Sequence, residues 1–205
     1  VWFSDTGWDL SAYYPFSDFA VDMEYGASGP LYILHRDGAV WNSDTGWDLN
    51  TPPYYADSDY ARDLEFKPSG SYTILHKKGA LWNSVSGWFT DTPPYYPDSD
   101  YARDMEYRND EAYVILHKDG AVYDSGSGWN TNTPPYYSDS SYARDLEFRA
   151  DEVNYVILHK DGALWSTDGG WVLDQPPYYA GSDYAVDLEF KGGGNYRILH
   201  RHGAI

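Results

Sequence analysis

The chain repeats itself five times, with a period of about 41 residues. The triplet Ile-Leu-His marks the period most clearly, because its histidines are separated by 41, 41, 42 and 41 residues. A Gly-Trp pair and an acidic triplet, Asp-(Leu/Met)-Glu, recur once in every repeat. A unit of this length is one supersecondary motif, which buries its apolar face only by stacking against neighbouring units. The repeat therefore restricts the fold to an array or a ring of similar units.

Each unit contains short predicted β-strands separated by turns. In the second unit, residues 60–66 (YARDLEF) alternate between two faces, with Leu64 on one face and Ala61 and the acidic residues on the other. Residues 71–77 form a second β-rich run, and a Lys-Gly turn precedes a third at 80–84. The Gly-Trp pair predicts a short outer strand. Pro-Pro-Tyr-Tyr predicts a connection, because proline has no N–H for a sheet.

Short antiparallel strands in every repeat are typical of β-propeller blades. The two ends of the chain predict closure, because Ile205 and Val1 both align with the position of Val40. The break then falls inside a third strand, and the N- and C-terminal segments together complete a fifth blade. Neither end carries the polar capping repeat that an open solenoid needs. We expect residues 1–205 to form a single all-β domain, a five-bladed β-propeller.

Three segments combine the connection with the first strand: PPYYADSDYARDLEF, PPYYPDSDYARDMEY and PPYYSDSSYARDLEF. Together with runs such as YVILHKDGAV, they resemble the tandem β-propeller repeats of bacterial secreted and cell-surface proteins. The resemblance covers all five repeats and rests on short aromatic and glycine motifs. It implies a propeller fold and an extracellular or cell-surface location, and it implies no particular chemistry.

Composition and charge exclude several classes of function. The net charge of −18 repels phosphate backbones and anionic membrane surfaces, so we expect neither nucleic-acid binding nor membrane insertion. The absence of cysteine excludes disulfides, thiolate catalysis and Cys-ligated zinc. No signal peptide is visible, and the first residue is Val1, so we expect an excised or processed segment. We also expect the protein to be monomeric.

The acidic triplets place two carboxylates per repeat on one face of the first strand. Because the first strands of a propeller surround its axis, one carboxylate per blade can converge there and form an oxygen-ligand ring for Ca²⁺ or Na⁺. Alternatively, the carboxylates hold neighbouring blades together with the basic residues of each repeat, because like charges must be offset. No cofactor is required by either interpretation. The candidate metal ligands are Asp22, Asp63, Asp104, Asp145 and Asp187. The second carboxylate of each triplet, two residues later on the same face, belongs to Glu24, Glu65, Glu106, Glu147 and Glu189.

We do not expect the five repeated histidines to form a metal-binding ring. They lie on the second strand, about 4.8 Å farther from the axis than the first, where five imidazoles cannot reach one ion. We expect each to form a hydrogen bond with a carboxylate or backbone group between blades. The loop triplets, such as Asp57-Ser58-Asp59, are predicted to form turns rather than to bind calcium.

Aromatic side chains are the best candidates for ligand binding, since the chain contains 22 Tyr and 9 Trp. Rigid rings on loops can stack on the C–H groups of a sugar while nearby Asp, Asn and Ser accept hydroxyl protons. The alternative is that the tryptophans and the first tyrosine of each pair fill the space between blades as core. The candidate ligand-binding residues are Trp8, Trp47, Trp88, Trp129 and Trp171, with Tyr14, Tyr55, Tyr96, Tyr137 and Tyr179.

Symmetry favours binding over catalysis. An active site needs differentiated acid and base groups, whereas the candidate groups here recur in matching surroundings. The unrepeated ionisable groups, such as Lys78 and His202, lie mostly in hairpin turns and form no recognised motif. We therefore predict a non-enzymatic, multivalent binding module, lectin-like and carbohydrate-binding or adhesive, that gains avidity from repeated sites. The first alternative is a protein-interaction or purely structural propeller, and the second is a glycoside hydrolase.

Overall fold

The computed structural model describes residues 2–3, 7–8, 18–26, 29–48, 53–89, 94–131, 135–173, 178–192 and 194–202. The regular structure in these ranges is entirely β, and they contain no helix that could span a membrane. The strands are β1 (Trp2–Phe3), β2 (Gly7–Trp8), β3 (Ala20–Tyr25), β4 (Leu31–His35), β5 (Val40–Asn42), β6 (Gly46–Asp48), β7 (Ala61–Phe66), β8 (Tyr72–His76), β9 (Leu81–Asn83), β10 (Gly87–Phe89), β11 (Ala102–Tyr107), β12 (Tyr113–His117), β13 (Val122–Asp124), β14 (Gly128–Asn130), β15 (Ala143–Phe148), β16 (Tyr155–His159), β17 (Leu164–Ser166), β18 (Gly170–Val172), β19 (Ala185–Gly192) and β20 (Asn195–His200).

These strands form a β-propeller with four complete blades. Each blade is a four-stranded antiparallel meander in chain order: β3 to β6 in blade 1, β7 to β10 in blade 2, β11 to β14 in blade 3 and β15 to β18 in blade 4. Strands β19 and β20 form a two-stranded sheet that packs on blade 4, and β1 pairs with β2. The first strands of successive blades, β3, β7, β11, β15 and β19, lie side by side. Among the described strands, β19 and β3 make no contact with each other.

The strand positions follow the predicted pattern in each complete blade. In blade 2, the runs expected at 60–66, 71–77 and 80–84 are found as β7, β8 and β9, and the Gly-Trp pair begins β10. Val1 and Ile205, on which the prediction of closure depends, lie outside the described residues.

A β-bulge changes the faces of the first strand. Ala61 is opposite His76 and Asp63 is opposite Leu75, so Arg62 is an extra residue in β7. Because one added residue shifts the alternation, Ala61 packs in the same buried cluster as Leu64. The prediction that these two residues occupy opposite faces is therefore wrong. The same shift recurs in the first hairpins of the other blades and in β19–β20.

The core lies between blades, as stacked sheets require. At the junction of blades 1 and 2, Leu34 and Val40 of one sheet pack against Leu64 and Ile74 of the next. The Pro-Pro-Tyr-Tyr connection is also hydrogen-bonded to the preceding blade, since the N–H of Tyr55 donates to the carbonyl of Asp37. Equivalent backbone bonds hold the other described connections, so each connection lies against the β-hairpin turn of the blade before it.

Candidate functional site: an aromatic pocket between blades and an acidic axial cavity

A chain of aromatic contacts runs through each complete blade beside the connection. In blade 3, Tyr101 stacks on His117 with ring centroids 5.8 Å apart, and His117 meets the ring of Trp129 edge-on at 4.7 Å. Tyr96, from the connection, lies 6.3 Å from His117 and 6.4 Å from Trp129. His159 has the same tyrosine and tryptophan neighbours in blade 4, and in blade 1 Phe19 replaces the tyrosine.

These rings line a pocket of about 390 Å³ in blade 3. Its walls are Tyr96, His117 and Trp129 on one side and Tyr136 on the connection to blade 4, with Asp119 and Asp139 among the polar groups. Trp129 is 39% exposed and Tyr96 is 45% exposed, so both present a ring to solvent while the opposite face packs. A concave surface that combines aromatic rings with polar groups is suited to binding a small molecule.

His117 is buried within the pocket wall. It is only 4% exposed, and its Nε2 has no hydrogen-bond partner among the described residues. Burial, and secondarily the nearby Arg103, lowers the pKa of His117 to about 4, so the imidazole is neutral at physiological pH. In blade 2, the corresponding His76 accepts a hydrogen bond at Nδ1 from the backbone N–H of Lys78 in the same turn. The bond at His76 Nδ1 thus lies within one hairpin turn rather than between blades, and the rings of His76 and His117 stack on Tyr60 and Tyr101.

The structure brings together the aromatic residues named from the sequence in the described blades. Trp88, Trp129 and Trp171 are each about two-fifths exposed, so they are not fully buried core. The second tyrosines of the pairs, Tyr55, Tyr96, Tyr137 and Tyr179, are more exposed than the first ones. Trp47 packs edge-on against His35. Tyr14 lies outside the described residues, and for Trp8 only the backbone strand is described.

A second concavity of about 630 Å³ lies on the propeller axis. All ten inner-strand carboxylates line it, together with Arg62, Arg103 and Arg144. Four of the five aspartates are bonded to the next blade: Oδ2 of Asp63 accepts the backbone N–H of Met105 at 3.0 Å, and Oδ2 of Asp104 accepts that of Leu146 at 2.8 Å. Asp22 and Asp145 form the same bond with Leu64 and Leu188. The carboxylates thus join blades through backbone amides.

Burial, and after it the repulsion between neighbouring carboxylates, raises the pKa values of these carboxyl groups and favours their protonated forms. Desolvation, reinforced by the neighbouring carboxylates, raises the pKa of Asp22 to about 7 and that of Glu24 to about 8. The same causes raise the pKa of Glu147 to about 9 and hold that of Glu106 well above its ordinary value. Among the described residues, no group of three or more His, Asp or Glu side chains is placed to hold a metal ion. The predicted ring of cation ligands stays a prediction, and a bound cation would have to displace protons.

The arginines beside the axial cavity form ion pairs with aspartates of the loops rather than with the inner-strand carboxylates. Arg62 pairs with Asp59 at 3.0 Å and with Asp100, in the next connection, at 3.2 Å. The first Asp of three loop triplets, such as Asp57, has a positive φ of about 60°, which fits the predicted turn. The last Asp of the second triplet, Asp100, pairs with Arg62 and Arg103 at the mouth of the axial cavity. Desolvation opposes ionisation of Asp100, but the two arginines outweigh it and lower the pKa of this carboxyl group.

Most of the residues that line the blade 3 pocket were not among the ligand-binding residues chosen from the sequence. His117 was expected to form a structural hydrogen bond, and Asp119 was not singled out. The available signal was the column two residues after each histidine, which holds Asp37, Lys78, Asp119, Asp161 and His202. Because this position varies between acidic and basic residues while the rest of the repeat is nearly identical, we infer that its charge affects the surroundings within its own blade.

The fold and the pocket define a β-propeller with a ligand-sized aromatic concavity in blade 3. No protein-family model matches the sequence, and no curated protein was found to be similar to it. Among solved structures, the chain is similar to virginiamycin B lyase from Staphylococcus aureus, with a TM-score of 0.57 and 9% identity. The match covers 91% of this chain and 68% of that one. At this identity the similarity shows the propeller fold alone.

Proposed function

We propose that this propeller is a multivalent, non-enzymatic binding module that recognises carbohydrates through the aromatic pockets beside its connections. The observation that carries the proposal is the pocket of about 390 Å³ in which Trp129, Tyr96 and Tyr136 expose ring faces next to polar groups. Aromatic rings held by backbone hydrogen bonds lose little entropy on binding, which favours weak ligands such as sugars. Repetition of the pocket adds avidity on a surface that presents many copies of one glycan.

The test is a glycan-array screen of the purified chain, followed by titration of any glycan that binds. Tyr96→Ala and Trp129→Ala are expected to remove binding at blade 3, whereas Val85→Ala, on an exposed outer turn, is expected to leave it unchanged. Running the array with calcium and again with a chelator tests the cation prediction at the acidic ring. An array without signal in both conditions would contradict the carbohydrate proposal.

The first alternative is a protein-interaction or purely structural propeller. The exposed aromatic rim and the strong negative charge suit a basic protein partner equally well. Stoichiometry separates the two proposals, because a protein scaffold uses one face once whereas a lectin-like module binds several equivalent ligands. A glycoside hydrolase is the least supported alternative, because the inner-strand aspartates Asp22, Asp63, Asp104 and Asp145 are occupied by backbone amides.

We also propose that the ring closes as a fifth blade, with β19–β20 and the N-terminal strands completing it, in a secreted or cell-surface protein that acts as a monomer. The edge of β3 supports this proposal. Met23 is 49% exposed, whereas Leu64, its counterpart in blade 2, is 1% exposed against blade 1. Contact between β3 and a fifth blade would bury Met23 in the same way.

A further inference from the structure

The hairpin turn beside each histidine carries a charge that differs between blades. Blades 1, 3 and 4 have Asp37, Asp119 and Asp161 there, whereas blade 2 has Lys78. In each aspartate, Oδ1 accepts the N–H of the alanine two residues later, at 3.1 to 3.3 Å. The described contacts leave Oδ2 without a hydrogen bond, so one carboxylate oxygen is available to a ligand.

The blade 3 pocket is lined by two carboxylates and by neither lysine nor arginine. The carboxylates are those of Asp119 and Asp139. Two basic residues lie near its wall: Lys118 has Nζ 4.8 Å from the ring centroid of Tyr101, and Arg103 is close enough to His117 to lower its pKa. Aromatic faces attract cations electrostatically. Asp119 is only 6% exposed, and a buried carboxylate is costly unless a cation or hydrogen bonds pair with it, whereas Asp139 is exposed.

In blade 2, a lysine replaces the turn aspartate and reaches the loop carboxylate at the protein surface. Lys78 occupies the position of Asp119, and its Nζ lies 3.7 Å from Oδ1 of Asp98, a 98% exposed side chain that occupies the position of Asp139. The protein thus supplies its own ammonium group where blade 3 leaves two carboxylates without one. The comparison is internal to the molecule, since both blades share the histidine, the tryptophan and the connection.

We propose that the blade 3 pocket selects sugars that carry a protonated amine, such as the glucosamine units of a de-N-acetylated glycan. Asp119 and Asp139 accept hydrogen bonds from the ammonium group, while Trp129 and Tyr96 stack on the sugar ring. N-acetylation removes the charge and leaves both carboxylates unpaired, which costs affinity. This inference rests on the proposed carbohydrate function and names the class of sugar.

The experiment compares a β-1,4-linked trimer of glucosamine with its N-acetylated counterpart by isothermal titration. Mildly acidic buffer keeps the sugar amine protonated, and His117 stays neutral there because its pKa is about 4. We expect the glucosamine trimer to bind at least about tenfold more tightly, equivalent to about 1.4 kcal/mol. Equal affinity, or tighter binding of the acetylated trimer, would leave the carbohydrate proposal standing and overturn the amine selectivity.

Reciprocal variants assign the effect to the site. Asp119→Lys copies the natural residue of blade 2, so the turn is expected to fold, and it is expected to abolish binding of the glucosamine trimer at blade 3. Lys78→Asp is expected to add one binding site in blade 2. Asp44→Lys makes the same change of charge on an exposed outer turn and is expected to leave binding unchanged.

Two further outcomes are informative. Equal weakening by Asp119→Lys and Asp44→Lys would mean that the glucosamine trimer responds only to net charge, and the site would be rejected. Binding of neither trimer would reject amine selectivity, and the glycan array then decides separately whether the carbohydrate function also fails.

Discussion

At the scale of single residues, Asp63 shows how a buried carboxyl group is accommodated between blades. It accepts the backbone N–H of Met105, and its pKa is held well above the ordinary value by burial and by neighbouring carboxylates, Asp104 foremost among them. The contact therefore needs an acceptor oxygen and does not need a charge. A sequence pattern shows that an acidic residue recurs, but only the geometry shows which property of it is used.

Asp63→Asn is expected to preserve the junction, because an amide oxygen can accept the same N–H bond. At acidic pH the variant should match the wild type, and at alkaline pH it should be more stable, because the wild-type group must then ionise in a dry site. Asp63→Ala should cost about 1–3 kcal/mol, since the buried N–H of Met105 loses its partner. Urea unfolding measures both. Equal destabilisation by Asn and Ala would mean that the carboxylate charge is required.

At the scale of strands and turns, the hairpin between the second and third strands determines where the connection lies. Gly120 has a φ of +86° and lies against the hydroxyl of Tyr142 and the carbonyl of Pro135. Gly46, in an outer turn, has a φ of +82° with no atom near its absent Cβ. The two glycines share a backbone conformation and differ only in how closely another segment approaches.

Gly46→Ala should therefore cost only the backbone strain of a left-handed residue, about 1–3 kcal/mol. Gly120→Ala should cost that strain and the overlap with Tyr142 and Pro135, which adds about 1–3 kcal/mol or more. Thermal unfolding of the two variants provides the comparison. If both lose the same stability, then the connection does not press on the hairpin in solution.

At the scale of the whole molecule, the axial cavity brings ten carboxyl groups together, so we expect the free energy of unfolding to depend on pH. A carboxyl group whose pKa is raised by folding contributes stability at acidic pH, and this contribution is lost as pH rises through the folded-state pKa. Neutral buried histidines have the opposite sign, but their contribution is already complete above the ordinary pKa of 6.5. Between about pH 7 and pH 9, below the ordinary tyrosine pKa of 10, the carboxyl contribution is the one that changes.

We therefore expect the free energy of unfolding to fall as pH rises above the ordinary carboxyl pKa values of 3.8 and 4.5, and to go on falling through neutrality until the raised pKa of Glu147, about 9, is passed. Carboxyl groups account for the part of this fall between pH 7 and about pH 9. The slope is about 1.4 kcal/mol per pH unit for each proton released on unfolding. Urea titrations at a series of pH values measure it, and Glu147→Gln should flatten the curve. Stability that rises over this range would contradict the protonated state of the cavity.

Closure of the ring can be tested at the same aspartates. Asp145→Ala removes the acceptor of the Leu188 amide and should cost about 1–3 kcal/mol. In a closed ring, Asp187 accepts the amide of Met23 in the same way, so Asp187→Ala should cost a similar amount. A negligible cost for Asp187→Ala beside a full cost for Asp145→Ala would show an open junction between β19 and β3.

Much of the fold could be predicted from the sequence because the same strand and turn signals recur in every repeat. Strand order, the Lys-Gly or Asp-Gly turn and the exclusion of Pro-Pro from the sheet are local properties, and the strands of blade 2 are found where they were expected. The shared cluster of Ala61 and Leu64 could not be predicted, because a β-bulge adds one residue without a distinctive sequence signal. In the pocket, Trp129 and Tyr96 could be identified from the sequence as exposed aromatic residues. The candidate role of Asp119 became evident only from its neighbours in the pocket.

The sequence by itself determined the repeat, the β class and the absence of helices from the described blades, because hydrophobic alternation and proline placement act within a few residues along the chain. The tertiary structure decided that four of the inner-strand aspartates accept backbone amides from the next blade and that the histidines of the four complete blades contact Tyr or Phe and Trp. It also brought Asp119 and Asp139, twenty residues apart, to one pocket. Such pairings depend on how one blade is stacked and rotated against the next, and packing between sheets, rather than local chain preference, sets that geometry.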